Sequence, residues 1–239
     1  MLKLISNFQE DMKFQDFSFK IIVVFDNRCA KSGYLTGFGF SALIFNNFTQ
    51  NYLMFDTGNN GNILVHNINK LNISIKNINK IIISHNHSDH TGGLGEILRR
   101  NSNCATFVPN DNKNYFKRLF PESKIYGISE LIEIEKNVYS SGQLGTHLKE
   151  QALFLKTIDN QFVLIVGCTH PGLENFILKA RKMTDIKGVL GGFHGFRKYS
   201  YLEGIEFIIP CHCTVNIESI QKRYPQQFKK ICVGDFLKF

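Results

Sequence analysis

Short apolar runs alternate along this chain with polar, glycine-containing turns and with stretches of helical period. Runs rich in β-branched and aromatic residues predict strands over residues 21–25, 38–45, 52–55, 81–84, 105–108, 152–157, 162–166, 189–191 and 205–209. Apolar positions at helical spacing predict helices over 62–70, 93–100, 112–119, 171–183 and 217–224. Pro171 suits the first position of a helix, and Glu174 suits its first turn, where negative charge favours the dipole. Thr169 or His170 is therefore expected at the cap. Each half of the chain reads as β-rich first and mixed β and α afterwards. No Ser/Gly linker, charge block or repeat period divides it. The pattern suits an α/β (α+β) arrangement in one domain spanning 1–239, with two mixed sheets face to face and helices outside.

Composition narrows the function more than the fold. The 239 residues suffice for one sizeable domain with a full core. With 43% hydrophobic and 20% charged residues, an intrinsically disordered chain is excluded. The net charge of +8 suits an anionic partner. The longest basic cluster is Lys222, Arg223, Lys229 and Lys230, with no run of five, so nothing specific points to nucleic acid. A small anionic molecule is the expected partner. Six cysteines are too few for a disulfide scaffold. The first fourteen residues hold no signal-peptide apolar region, and no stretch approaches the ~20 apolar residues that cross a bilayer. The expected setting is the cytoplasm, with reduced thiols and no membrane association. The oligomeric state is not legible.

The chemistry is concentrated in Ile81-Ile82-Ile83-Ser84-His85-Asn86-His87-Ser88-Asp89-His90-Thr91-Gly92-Gly93. An apolar strand runs into three histidines and an aspartate, and two glycines lead into a helix. In an extended loop His85 and His87 point the same way and can share one metal. Asp89 and His90 fall where the chain turns, so they can aim at a second. Two ions about 3.5–4 Å apart can clamp a substrate oxygen. Imidazole and carboxylate ligands suit Zn, Mn, Fe, Co or Ni better than Ca. A His-rich surface loop is the alternative, but the chain has only eight histidines, and three beside an aspartate directly after a buried strand make a poor accident.

The H-x-H-x-D-H pattern resembles the hallmark of the metallo-β-lactamase superfamily, and Phe55-Asp56-Thr57-Gly58 resembles its earlier motif, in which the aspartate braces the histidine loop. The order of Phe25-Asp26-Asn27, Gly37-Phe38-Gly39-Phe40-Ser41, Gly167-Cys168-Thr169-His170-Pro171-Gly172, Gly191-Gly192-Phe193-His194 and Pro210-Cys211-His212-Cys213-Thr214 is similar to one branch. That branch includes archaeal 7,8-dihydropterin-6-methyl-4-(β-D-ribofuranosyl)aminobenzene-5′-phosphate synthase, and the likeness spans residues 25–214. It implies an αββα sandwich with one or two divalent ions at an edge of the sheets. Zn is the first choice, with Mn, Fe or Mg as alternatives. It implies further ligands in His170 and His212, giving His85, His87 and His170 on one ion and Asp89, His90 and His212 on the other. Cys168 stands where most of the superfamily has a bridging aspartate. Either a thiolate bridges, or the bridge is missing and one metal is weakly held; the second is our expectation, since Cys168 also reads as a buried small residue. His147, 21 residues before Cys168, is a rival third ligand, with an exposed turn as its plainer reading. Cys211 and Cys213 flank His212 and are expected to point away from its face. Cys29, Cys104 and Cys232 carry no motif, and His66 sits in a helical pattern.

Asp89 and His194 are the catalytic candidates. Gly191 and Gly192 let the backbone before His194 pass close to a substrate. The resemblance implies either a transferase that joins a pterin to a phosphorylated ribosyl-aminobenzene with loss of pyrophosphate, or a hydrolase of a phosphodiester, ester or lactone. A non-enzymatic metal-binding module is the third possibility.

Overall fold

The computed structural model describes residues 17–239. The expectation for the first fourteen residues lies outside the described residues. Strands β1 (Phe19–Phe25), β2 (Ser41–Asn46) and β3 (Asn51–Phe55) form an antiparallel meander. Helix α1 (Gly61–Lys70) then crosses to β4 (Ile78–Ile82), which lies parallel to β3. The histidine loop carries a single turn, α2 (Ser88–Thr91), before α3 (Leu94–Arg100), β5 (Ala105–Pro109), α4 (Lys113–Leu119) and β6 (Lys124–Ile128). A second sheet follows: β7 (Ile132–Glu135), β8 (Val138–Ser140), β9 (Leu153–Lys156), β10 (Phe162–Val166), α5 (Leu173–Arg181), β11 (Ile186–Gly192), β12 (Phe207–Cys211) and α6 (Ile217–Arg223). Strand β13 (Phe236–Lys238) returns to the first sheet beside β1. The orders are β13-β1-β2-β3-β4-β5-β6 and β12-β11-β10-β9-β8-β7, and both sheets are mixed.

Period-two alternation explains why the strands read as unbroken apolar runs. In β1, Phe19, Ile21 and Val23 face the second sheet and pack with Leu153, Leu155, Val163 and Ile165. Ile22 and Val24 face the other way, against Leu64 and Ile68 of α1 and Ile97 of α3. The second sheet repeats this with Leu164, Val166 and Val189 against Phe176 and Ile177 of α5. Both faces of each sheet are covered, so alternation cannot show as apolar and polar. The result is the expected αββα sandwich, with two mixed sheets and outer helices.

The departures have physical causes. Residues 38–40 do not join β2, because Gly39 passes so near Asp89 that a Cβ there would sit 2.2 Å from the Asp89 carbonyl oxygen. Strand β4 ends at Ile82, before the polar residues of the loop. Strand β12 lies two residues later than the 205–209 run. Helix α5 begins at Leu173, not Pro171: Thr169 to Gly172 form a turn, and Gly172 occupies the cap at φ 96°. The apolar pattern does not mark strands β6, β7, β8 and β13; β7 and β13 are short edge strands with exposed polar positions. The expectation of reduced thiols fails at one pair. Cys29 and Cys232 form a disulfide across 203 residues, because the loop after β1 runs beside the segment before β13; the other four cysteines are free. Spacing along the chain carries no sign of a pair so distant. No helix among the described residues is long and apolar enough to cross a membrane.

Candidate metal centre

The centre sits where β3, β4, β10, β11 and β12 end. Asp56, just past β3, braces the histidine loop. Its Oδ1 accepts the Ser84 N–H at 2.6 Å, and its Oδ2 accepts the Ser84 hydroxyl at 2.7 Å and pairs with His90 Nδ1 at 2.7 Å. Ser84 Oγ also meets His85 Nδ1 at 2.9 Å. Because the serine proton goes to Asp56, Nδ1–H of His85 must be the donor in that contact, which leaves a lone pair on His85 Nε2. That nitrogen is buried and has no partner. In the same way His90 Nδ1–H is spent on Asp56, and its Nε2 faces Cys168 Sγ at 3.1 Å and Asp89 Oδ2 at 3.5 Å. His212 Nδ1 meets Asn27 Oδ1 at 2.9 Å, and its Nε2 faces Asp89 Oδ2 at 3.1 Å.

His85 Nε2 is thus a buried lone pair without a partner, and the Nε2 atoms of His90 and His212 turn toward the Asp89 carboxylate and the Cys168 sulfur, a set of donors suited to a cation. Asp56 on the far nitrogen of His90, Asn27 on that of His212 and the Ser84 hydroxyl on that of His85 also fix the tautomers as metal-ligating histidines require. The rings of His85, His87 and His170 stand 4.7, 4.8 and 4.9 Å apart pairwise, three imidazoles around one point. Potential ligand atoms fall into two sets, each within 4.8 Å: Asp89, His90, Cys168 and His212, and His85, Cys168 and His170. The donors present therefore fit divalent metal. Burial and the neighbouring imidazoles hold His85 well below its ordinary value, so it is neutral and can donate a lone pair.

The second sheet's half is built around Glu150. This carboxylate is fully buried. Its Oε1 accepts the N–H groups of Cys168 and Thr169 at 2.9 and 2.8 Å, and its Oε2 accepts that of His170 at 2.8 Å. Burial pushes Glu150 up to about 7 despite those donors. Gly167 lets this turn approach the histidine loop, since a Cβ there would lie 2.3 Å from Ser84 Oγ. His212 is held through its N–H, which donates to Asp26 Oδ2 at 2.8 Å. Positive φ marks the same places: Asp56, Thr169, His194 and His212 lie between 46° and 58°. The other positive-φ residues that are not glycine among those described are Gln50, Asn72, Asn137 and Asn160, and asparagine adopts this conformation readily.

Beside the cluster is a pocket of about 400 Å³ lined by His170, Glu174, Phe193, His194, Arg197 and Lys198. Lys198 Nζ is paired with Glu174 at 2.7 Å. Arg197 makes no hydrogen bond or ion pair among the described residues, so its charge is free to meet a ligand. The His194 ring stands 5.2 Å from that of His170. On the opposite side Phe38, 61% exposed, packs edge-on against His212 at 5.6 Å.

All six ligand candidates and His194 are brought together. His147 is exposed in the turn before Glu150 and belongs to neither ligand set. Cys168 is buried, as expected of a small core residue, but its sulfur lies among the ligand atoms. Cys211 joins the core between the sheets, and Cys213 hydrogen-bonds Cys168. Sequence reasoning missed Glu150, Asn27 and Arg197. Only Asn27 carried a signal, as part of the Phe25-Asp26-Asn27 motif.

A family model described as the metallo-beta-lactamase superfamily matches residues 36–201, and the chain belongs to that superfamily. An uncharacterized protein of Methanocaldococcus jannaschii is 28% identical over 236 residues, covering 81% of this chain and 90% of its own length. The 7,8-dihydropterin-6-methyl-4-(beta-D-ribofuranosyl)-aminobenzene-5'-phosphate synthase of the same organism is 25% identical over 266 residues, covering 85% and 90%. Among solved structures, Tm1679, a metal-dependent hydrolase of the beta-lactamase superfamily, aligns with a TM-score of 0.76 at 24% identity, covering 92% of this chain and 99% of its own.

Proposed function

We propose that the protein is a metal-dependent enzyme acting on a small phosphorylated or pterin-like anion, as a pterin-transferring synthase. The observation that carries the reading is the convergence of histidine, aspartate and cysteine ligand atoms, the unpartnered His85 Nε2 among them, beside a pocket with an unpaired arginine. His85, His87 and His170 would hold one divalent ion, and Asp89, His90 and His212 the other, with Zn the first choice and Mn, Fe or Mg the alternatives. When bound, two such ions supply Lewis acidity and neutralise the charge that builds on a phosphoryl leaving group.

The chain's own residues do the rest. Arg197 presents a planar fork suited to phosphate oxygens. His194, held at φ 46° on the pocket wall, is placed to give a proton to a departing oxygen. Exposed Phe38 offers a flat apolar face at the opposite rim, suited to a ring such as a pterin. The likeness to the synthase supports a transferase. The second reading is a hydrolase of phosphodiesters, esters or lactones, favoured by the exposure of His170 and His194, which gives water access to the same side. The test is metal analysis of protein purified without chelator, beside assays of pterin transfer and of phosphodiester, ester and lactone hydrolysis. Transfer without hydrolysis supports the synthase, and hydrolysis alone selects the second reading. Fewer than ~0.2 metal equivalents with no rescue by Zn²⁺, Mn²⁺ or Mg²⁺ would sink both.

A further inference from the structure

We propose that Cys168 is itself a metal ligand, a thiolate shared between the two ions; the inference rests on the two-ion reading above. Cys168 Sγ is the one atom common to both sets of potential ligands, each compact to within 4.8 Å. It lies 3.1 Å from His90 Nε2, the ring nitrogen turned away from Asp56 and toward the other ligand candidates.

Its surroundings differ from those of the protein's structural thiols. Cys211 packs with Leu190 and Ile209 between the sheets, and Cys104 packs with Ile97 and Val108 on the outer face of the first sheet. Cys168 instead faces His85, His90, His170 and Asp89, and its backbone is fixed by the Glu150 carboxylate.

Binding is balanced by proton release: the Cys168 S–H bond breaks, sulfur bonds to the metal with the electron pair it retains, and the proton leaves to solvent. One thiolate and the Asp89 carboxylate leave two divalent ions with net positive charge, consistent with an anionic substrate. A sulfur in this place also sets metal choice, favouring zinc, iron or cobalt over magnesium, calcium or manganese.

The experiment is cobalt substitution of the whole protein, read by near-ultraviolet absorption and by metal analysis. Wild type loaded with two Co²⁺ should show a thiolate-to-cobalt charge-transfer band. C168S should lose the band and hold its second equivalent at least tenfold more weakly. C168D should restore two equivalents without the band, and C213S should keep both. Two bound cobalt ions in wild type with no such band would overturn the ligand assignment and leave the two-ion reading standing. A band lost in C213S but kept in C168S would move the ligand to Cys213 and overturn it equally. Wild type that takes up no cobalt at all would overturn the two-ion reading and this inference together. The wild-type spectrum decides the matter even where C168S fails to fold.

Discussion

Glu150 holds His170 by its backbone, not its ring: Oε2 accepts the His170 N–H at 2.8 Å while Oε1 takes those of Cys168 and Thr169. One buried carboxylate thus fixes three successive residues of the turn that presents the second sheet's ligands. Glu150→Ala would strand three N–H groups and should cost at least about 3 kcal/mol of stability. Glu150→Gln keeps the shape but replaces one acceptor with a donor. It should fold and bind metal ~10–100-fold more weakly. Unchanged zinc affinity in the glutamine variant, by competition with a chelator of known strength, would show that the turn holds itself.

Asp56 plays the matching part for the first sheet, through Ser84 and His90. Asp56→Asn cannot both accept from Ser84 and receive the His90 Nδ1–H as a carboxylate does. Metal affinity should again fall ~10–100-fold, with secondary structure by circular dichroism intact. If the variant binds two equivalents as tightly as wild type, the brace is not what sets the His90 tautomer.

His170→Ala should release metal far more readily than His147→Ala, since one ring stands within 5 Å of His85 and His87 and the other is exposed in a turn. Elemental analysis after the same dialysis compares them directly. Equal or reversed losses would transfer the third ligand to His147.

His194→Ala should keep its fold and both metals but lose ~10²–10⁴ in kcat. Arg197→Ala should leave kcat nearly intact and raise KM for a phosphorylated substrate at least tenfold, with inorganic phosphate a correspondingly weaker inhibitor. Loss of a metal equivalent in the first variant would make His194 a ligand. No change in KM in the second would remove Arg197 from substrate binding.

The Cys29–Cys232 bridge ties the loop that carries Asp26 and Asn27, and so bears on His212. Its removal by Cys29→Ser or by reductant should cost about 2–4 kcal/mol and weaken the His212 half of the site first. Six free thiols in the denatured, unreduced protein would mean that the bridge does not form.

The histidine loop is legible in the sequence because its residues are adjacent and period two fixes which of them face together. The layered fold is legible from fully apolar strands. Glu150 is not, because a buried glutamate beside Gln151 looks like any polar pair until the turn at 168–170 closes over it. The start of helix α5 is misleading because Pro171 is at home in a tight turn as well as at a helix start. The disulfide depends on a contact made only in three dimensions, and Arg197 on its place in the wall of a pocket. For Glu150 and the disulfide the deciding partner lies far away along the chain.

The left-handed backbone at Asp56, Thr169, His194 and His212 has a consequence for how this protein can change. Such conformations cost of order 1–3 kcal/mol each in residues other than glycine. The surrounding bonds impose them at the metal site. Glycine or asparagine at these positions would relieve the strain, and all four native side chains would go with it from the centre or its pocket. A population of variants selected for heat resistance alone should therefore accumulate its gains at the site and lose metal binding before it loses the sandwich. Selection for activity should hold those same positions fixed while the outer helices drift.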